Sequence, residues 1–328
     1  MCARANGVDP MRKFLCYSAV LTLLLPLLAI AQGRLVKIVV PYAPGGNIDV
    51  IARLYAQKAG ELLKENWIVE NLSGGSGTIG THFVARAAPD GSTLLFAADA
   101  HSTARLVIKN VPYDPLTDFV PIARVAETPL LFIVNPAQIR ARDFAQLAAD
   151  IKVDPKRFSF AISALGSMPH LAAEVFRSRI NADILVVPYR GTGPAINDVV
   201  GGQVNMMVVA PLAAIQLVRS GKLRALAVTA PRRFEGVPDV PTAEEAGMPD
   251  FLFLNSYGFL GPKALPKDVV MRINATMRRA SESPDLRRRL LDLGVSAKWE
   301  APEVFAGHLS EEFQRNSRIL QQAEVKPE

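Results

Sequence analysis

The feature that most constrains the fold is the alternation of short apolar runs with amphipathic segments from residue 36 onward. The apolar runs have the length of buried strands, and the amphipathic segments carry apolar residues at helical spacing. This alternation predicts α/β architecture. The predicted strands are 36–40, 67–70, 93–98, 158–162, 184–187, 205–209 and 223–229. The predicted helices are 49–64, 79–87, 168–179, 193–200, 211–220, 266–281, 284–293 and 302–321.

Two further apolar stretches, 130–134 and 252–260, lie at the two ends of the middle block of the chain. We interpret them as crossovers between two lobes. After Pro266 the pattern is wholly helical, which indicates helices that return to the first lobe. The sequence therefore predicts a first lobe of residues 34–133 plus 255–328 and a second lobe of residues 134–254.

Residues 1–31 have the layout of a cleaved export signal. Basic residues follow Met11, which we take as the start of translation, and residues 14–30 are almost wholly apolar. That run is short for a membrane span, and Ala29-Ile30-Ala31 after it has the small-residue pattern of a cleavage site. We predict a periplasmic protein whose mature chain begins near Gln32. Both cysteines lie in the removed segment, so the predicted mature protein has no thiol.

The charge distribution gives little support for a nucleic-acid partner. The formal net charge is +6, but the basic residues are scattered along the chain. The densest run, residues 287–289, lies on a predicted helix beside Asp285 and Asp292, which is typical of a solvated helix face. No aromatic residue interrupts that run, whereas nucleic-acid sites combine basic and aromatic side chains.

The stretch 73–80, SGGSGTIG, has the glycine spacing of a dinucleotide-binding turn and lies between a predicted strand and a predicted helix. A complete strand-turn-helix unit precedes it, however, and an exported protein leaves the nicotinamide pool, so we predict no cofactor. A Gly/Ser turn at a helix start also presents backbone N–H groups that bind a carboxylate as well as a phosphate. The turn at 44–47 offers a second set of this kind. Both stretches are equally compatible with tight strand-to-helix turns that bind nothing.

Short motifs rich in Gly and Pro occur in order along the predicted mature chain. They are Pro41-Tyr42-Ala43-Pro44-Gly45-Gly46-Asn47-Ile48-Asp49 with Arg53, Val69-Glu70-Asn71 before the glycine-rich stretch, Ala88-Pro89-Asp90-Gly91, Val187-Pro188-Tyr189-Arg190-Gly191, and Pro238-Asp239-Val240-Pro241-Thr242 with Glu245-Ala246-Gly247. In this order they resemble the Bug-type solute receptors, the extracytoplasmic binding proteins of tripartite tricarboxylate transporters. The resemblance spans essentially the whole mature chain.

The resemblance implies an α/β, two-lobe periplasmic-binding-protein (flytrap) fold with an interlobe ligand cleft. It implies a receptor, not an enzyme, that captures a small carboxylate-bearing solute and delivers it to integral-membrane permease subunits; we also predict a monomer. The implied first-lobe contacts are Tyr42, Ala43, Gly46, Asn47, Ser73, Gly74, Gly75, Ser76, Gly77 and Thr78. The implied second-lobe contacts are Ser163, Ala164, Ser167, Tyr189, Arg190 and Gly191. The identity of the solute, and transport as against sensing, stay open.

Three ionisable residues near these motifs keep two interpretations each. Asp49 either fixes its loop as a charge at a helix start, paired with Arg53, or contacts an amino-bearing ligand. His101 either donates to an anion or only finishes the strand that precedes it. Arg190 either pairs with a second ligand carboxylate or is an exposed turn residue.

Two stretches depart from the family pattern: 99–102 is more polar, and 163–171 is one residue shorter, with Leu165 in the place of a glycine. The serines of the second stretch lie near His170, but the G-x-S-x-G turn of a serine hydrolase is absent from the sequence. We expect His170 to cap or pack the start of the next helix. The histidines lack metal-ligand spacing, so we predict no metal site. An exported enzyme and a ligand-sensing subunit are the alternative functions.

Overall fold

The computed structural model describes residues 34–327, so the predicted signal peptide and cleavage site lie outside the described residues. The strands are β1 (Leu35–Val40), β2 (Asn66–Asn71), β3 (Thr93–Ala98), β4 (Phe119–Pro129), β5 (Leu131–Val134), β6 (Ser159–Ile162), β7 (Leu185–Pro188), β8 (Met206–Val209), β9 (Arg224–Val228), β10 (Leu254–Pro262) and β11 (Ser296–Glu300). The α-helices are α1 (Asn47–Leu63), α2 (Thr78–Ala85), α3 (Ala100–Val107), α4 (Phe144–Val153), α5 (Met168–Ile180), α6 (Thr192–Gly201), α7 (Pro211–Arg219), α8 (Lys267–Glu282), α9 (Pro284–Asp292) and α10 (Pro302–Gln322).

The strands form two mixed sheets. The first has the order β11-β4-β10-β3-β1-β2, with β1 parallel to β2 and β3, and β10 antiparallel to β3 and β4. The second has the order β7-β6-β8-β5-β9, with β6 parallel to β7 and β8, and β5 antiparallel to β8 and β9. Helices alternate with the strands along the chain, and the α/β architecture predicted from the sequence is confirmed.

The central parallel strands are buried on both faces, which is why they occur in the sequence as continuous apolar runs. Ile38, Val39 and Val40 of β1 have no exposed surface. The four residues of β8 are likewise buried. A turn follows the carboxyl end of each of these strands and leads into a helix. The loops that follow the parallel strands therefore gather at one edge of each sheet.

The chain changes sheet at Leu130, the single residue between β4 and β5. Residues 131–133, which the sequence-based division assigns to the first lobe, lie in β5 and pair with β8 and β9 of the second sheet. The chain returns to the first sheet between β9 and β10, within residues 229–253. The lobe boundaries at 133/134 and 254/255 otherwise stay a prediction.

The last helix, α10, joins the two halves of the molecule. It contacts β4 and α3 on one side and α5 on the other. Near its end, Leu320 is 2% exposed and lies in the apolar core that covers the second sheet. The expectation that all of residues 255–328 pack with the first lobe therefore does not hold for the end of this helix.

No helix within residues 34–327 is both long and apolar enough to span a bilayer. Within that same part of the chain, no group of three or more His, Asp or Glu side chains is arranged to hold a metal ion.

Candidate ligand-binding cleft

A cavity of about 480 Å³ lies between the two sheets and receives residues from both. Its volume is in the range of roughly 300–1,000 Å³ that is typical of small-molecule sites. The lining from the first half is Tyr42, Ala43, Pro44, Gly45, Gly46, Asn47, Ile48, Val50, Ala98, Asp99, Ala100, Asn255 and Tyr257, and from the second half Ser163, Ala164, Ser167, Pro169, Arg190, Gly191, Thr192, Gly193, Pro194, Val209, Ala210, Leu212 and Ala213. Most of these residues follow the carboxyl ends of β1, β3, β6, β7 and β8. Open α/β sheets bind their ligands at this edge, and we call the cavity the cleft.

A larger cavity of about 790 Å³ lies elsewhere, between β7 and the C-terminal residues 323–327. Three charged side chains in its lining are paired with one another: Arg177 lies 3.1 Å from Glu174 and 2.6 Å from Asp183. No strand of the first sheet contributes a residue to the lining of this cavity. We therefore assign the candidate site to the cleft between the sheets.

Five helices, α1, α3, α5, α6 and α7, begin at the cleft. The first N–H groups of a helix have no intrahelical partner, and the helix dipole adds a partial positive charge at this end. Such N–H groups bind anions, carboxylates included. The cleft-lining residues at these helix starts are Gly46, Asn47, Asp99, Ala100, Ser167, Pro169, Gly191, Thr192, Ala210 and Leu212.

A buried carboxylate, Asp49, fixes the loop between β1 and α1. Asp49 is 3% exposed and accepts hydrogen bonds from the Gly45 N–H (2.9 Å), Arg53 Nε (3.1 Å) and Asn71 Nδ2 (3.0 Å). Asn71 Nδ2 also lies 3.0 Å from the Tyr42 carbonyl, which it donates to. Burial by itself raises the pKa of Asp49, but the hydrogen bonds from Arg53, Gly45 and Asn71 outweigh it and lower that pKa. Asp49 does not line the cleft, so its expected pairing with Arg53 is present, and direct contact with a ligand stays a prediction.

The glycine-rich loop 73–78 lies beside the cleft. Ser76 and Gly77 line a separate cavity of about 10 Å³ together with Tyr42, whose ring also lines the cleft. Gly77 has φ +96°, and a Cβ at this position would lie 3.0 Å from Tyr42 Oη, so glycine is required for the ring to pack here. The Gly77 N–H donates to the Gly74 carbonyl (3.0 Å), so this donor is used within the loop. The loop thus supports Tyr42, and ligand contacts by Ser73, Gly74, Gly75, Ser76, Gly77 and Thr78 stay a prediction.

His101 lies in the first turn of α3 and faces an aromatic cluster. It is 5% exposed, its Nε2 lies 3.0 Å from the Pro115 carbonyl, and its ring centroid lies 6.3 Å from Tyr113 and 4.9 Å from Phe119. Burial lowers its pKa to about 4, so the ring is neutral at pH 7. The expectation that His101 finishes a strand is wrong, because β3 ends at Ala98 and a helix follows. His101 does not line the cleft, and its contact with an anion stays a prediction.

The loop after β6 is held by its own side chains. Ser167 Oγ donates to the Ala164 carbonyl (2.7 Å), and the Gly166 N–H donates to His170 Nδ1 (3.0 Å). His170 therefore holds the turn that begins α5, as expected from the sequence. This leaves Ser163, Ala164 and Ser167 lining the cleft.

The turn after β7 brings Arg190 and Gly191, but not Tyr189, into the cleft lining. The Gly191 N–H donates to the Ser163 carbonyl (3.0 Å), and Tyr189 Oη donates to Asp198 Oδ2 (2.8 Å). Arg190 is exposed and is the one basic side chain in the described lining. Arg190 is thus an exposed turn residue that borders the cleft, and its pairing with a second ligand carboxylate stays a prediction.

Sequence reasoning missed many cleft residues that share a simple signal. Ala210, for example, comes directly after a predicted strand, where the loops of a parallel sheet converge. Asn255 and Tyr257 lie in the antiparallel strand β10 and carry no such signal. The lining residues that were not predicted are Ile48, Val50, Ala98, Thr192, Gly193, Pro194, Val209, Ala210, Leu212, Ala213, Asn255 and Tyr257. Pro44 and Gly45 belong to the turn that the sequence offered as a second set of N–H groups, and Asp99, Ala100 and Pro169 belong to the two stretches that depart from the family pattern.

Two α/β sheets, a cleft at their strand ends and helix N-termini around it define a solute-binding protein of the periplasmic, two-lobe type. Comparison with known proteins supports this class. The model of the tripartite tricarboxylate transporter family receptor matches residues 51–325. The chain belongs to this family.

Three relatives illustrate the match. BugT of Bordetella pertussis is 32% identical, over 90% of this chain and 90% of BugT. The structure of MatC from Rhodopseudomonas palustris with bound malate has a TM-score of 0.81 at 34% identity, over 88% of this chain and 99% of MatC. That of R. palustris Rpa4515 with adipate has a TM-score of 0.85 at 30% identity, over 90% of this chain and 99% of Rpa4515. The resemblance to Bug-type receptors, the flytrap fold and the assignment as a receptor and not an enzyme are thereby confirmed.

Proposed function

We propose that this protein captures a small carboxylate-bearing solute in the cleft and delivers it to membrane permease subunits. The observation that carries the proposal is the convergence of five helix N-termini on one interlobe cavity. Unpaired N–H groups stabilise an anion there without the desolvation of a buried cation.

The solute class that fits best is a dicarboxylate. One carboxylate lies against the start of α1, and the second lies toward Arg190 on the opposite lobe. The relatives MatC and Rpa4515 were solved with malate and adipate, both of which are dicarboxylates. The rest of the lining is largely apolar, which suits the carbon chain between two carboxylates.

Membership of the family supports the proposed partner and location. A receptor of a tripartite transporter acts in the periplasm and presents its closed, loaded form to integral-membrane subunits. We propose that this protein acts there as a monomer after cleavage near Gln32.

Binding of a dicarboxylate is expected to stabilise the protein against unfolding. A ligand that binds only the folded state adds about 2.7 kcal/mol at a hundred times its dissociation constant. Thermal melts with malate, adipate and a broader panel of organic acids measure this effect, after bound ligand has been removed by unfolding and refolding. A panel without any rise in melting temperature contradicts the proposed function.

Replacing Arg190 with glutamine is expected to weaken dicarboxylates selectively. Loss of a hydrogen bond to a charged group costs about 1.5–3 kcal/mol, which is roughly a tenfold to hundredfold rise in Kd. Calorimetry with adipate and with butyrate distinguishes the contribution of the second carboxylate. Butyrate has only one carboxylate and is expected to bind equally to the wild type and to Arg190→Gln. Arg232→Gln, an exposed arginine outside the cleft, is the matched control. Equal weakening of both acids by Arg190→Gln contradicts the assigned role.

A further inference from the structure

Asp99 is a buried carboxyl group at the cleft. It comes directly after β3, lines the cavity and is 3% exposed. No Lys, Arg or His side chain of residues 34–327 forms a salt bridge with it. It does not cap α3 either, although it occupies the position before that helix. A buried carboxylate without a compensating cation is costly, so this group demands another way to lose its charge.

Ser256 joins Asp99 to a second carboxyl group, that of Glu312 on α10. The Ser256 N–H donates to Asp99 Oδ1 (2.9 Å), and Ser256 Oγ lies 3.0 Å from the same oxygen and 3.1 Å from Glu312 Oε1. A serine hydroxyl has one proton to donate. Two ionised carboxylates therefore cannot both be satisfied by Ser256 Oγ, and the geometry requires one further proton between them.

The other ionisable groups around Asp99 do not supply a nearby positive charge. Tyr42 on the loop after β1 and Tyr257 on β10 face it, and burial raises the pKa of both phenols, so both are neutral. His101, on the same helix start, is neutral because burial lowers its pKa. Arg190 shares the cavity from the second lobe but makes no salt bridge to Asp99.

Glu312 has the more favourable surroundings for a negative charge. Arg315 and His308 on α10 and Arg124 on β4 act on it and partly offset the burial that raises its pKa. For Asp99, burial and then the charge of Glu312 raise the pKa to about 8. Of the two carboxyl groups, Asp99 is therefore the better place for the shared proton.

We propose that Asp99, Ser256 and Glu312 hold one proton between the two carboxyl groups at neutral pH, and that a carboxylate solute binds the cleft only while this proton is held. Neutral Asp99 tolerates a ligand carboxylate beside it, whereas ionised Asp99 repels it. The inference rests on the proposed function, because it concerns how the same cleft accepts a carboxylate.

The binding test compares pH 6.5 with pH 9.0, using malate and adipate as probes in calorimetry. Both carboxyls of each acid are ionised over this range, so titration of the ligand does not contribute. With Asp99 titrating at about 8, affinity is expected to fall about tenfold between the two pH values. In Asp99→Asn the ratio of the two affinities is expected to be close to one. A wild-type affinity that is constant, or that rises with pH, overturns the inference.

A second test needs no ligand. The pKa of Asp99 is raised in the folded protein from about 3.9 in the unfolded chain, so its stabilisation is complete below that lower value and is lost as pH rises through about 8. Relative to Asp99→Asn, the wild-type folding equilibrium constant is expected to fall about tenfold per pH unit between pH 5 and 7.5. Denaturant titrations at several pH values measure this. If the stability difference between wild type and Asp99→Asn is independent of pH, the inference of a shared proton is overturned, whether or not the acids bind. If the stability difference between wild type and Asp99→Asn changes with pH but neither acid binds, the proposed function and the carboxylate part of the inference are overturned.

Glu312→Gln tests the coupling itself. It removes the like charge beside Asp99, so the midpoint of the pH profile is expected to move to lower pH. Glu311→Gln removes the same charge from an exposed neighbour without a hydrogen bond to Ser256, and its profile is expected to match the wild type. An unchanged midpoint in Glu312→Gln overturns the assignment of the proton to this pair.

Discussion

Replacing Gly46 with aspartate is expected to abolish carboxylate binding while both lobes stay folded. Gly46 is the residue before α1 and lines the cleft, so an aspartate there places a negative charge where we propose that the ligand carboxylate binds. Like charges brought together at a binding surface cost several kcal/mol, and we expect Kd for adipate to rise at least about a hundredfold, or about 2.7 kcal/mol. Titration calorimetry with adipate or malate measures the loss.

The fold is expected to accept this change. Gly46 has φ −79°, which any residue adopts, and the nearest atom to an added Cβ is the Ala43 carbonyl oxygen at 3.9 Å. Aspartate is also among the preferred residues before a helix. Gly46→Asn is the matched control, since it has nearly the same size and capping ability without the charge, and we expect it to lose less than about tenfold in affinity. Equal affinities of the two variants would show that charge at this position does not govern binding.

Replacing Phe132 with alanine is expected to cost about 3–5 kcal/mol of the free energy of unfolding. Phe132 has no exposed surface and lies in the apolar core that covers the second sheet, with its ring centroid 5.0 Å from Phe144, 5.4 Å from Phe160 and 4.9 Å from Phe176. Alanine leaves a cavity among rings that cannot all move inward. Urea denaturation followed by circular dichroism measures the loss.

Leu185→Ala on the outer strand β7 is the control for Phe132→Ala. Leu185 is 66% exposed, so its truncation is expected to change stability by less than about 0.5 kcal/mol. A loss below about 1 kcal/mol for Phe132→Ala would show that the core collapses around the smaller side chain.

Much of the fold could be predicted from the sequence because its central parallel strands are buried on both faces. The stretch 93–98 was predicted as a strand and is Thr93–Ala98 in the structure. The i,i+4 pairing of Asp49 and Arg53 was also expected, because helix geometry alone brings such residues together. The motifs also identified the right family. Each motif is a local turn, so it can be read from neighbouring residues without knowledge of the fold.

Elements with mixed polarity were missed, among them β4, β11, α3 and α4. The strand β4 contains Arg124, which is 8% exposed and lies 2.7 Å from Glu300 of β11. Those two residues are 176 positions apart. No local pattern predicts that such a charge is buried, because its burial depends on a partner that only the folded sheet supplies.

The same distinction applies to the cleft. The sequence alone determined where four of the five cleft helices begin, α1, α5, α6 and α7, and thus where their first backbone N–H groups become available, because these are local properties of the chain. Only the tertiary structure decided which side chains line the cleft and which lie behind it. It places His101 against the aromatic rings of Tyr113 and Phe119, packs Gly77 against Tyr42, and brings Asp99 within hydrogen-bond distance of Ser256, 157 positions away. The physical reason is that charge, burial and proton sharing depend on distances between residues that are far apart in the chain, and the fold alone sets those distances.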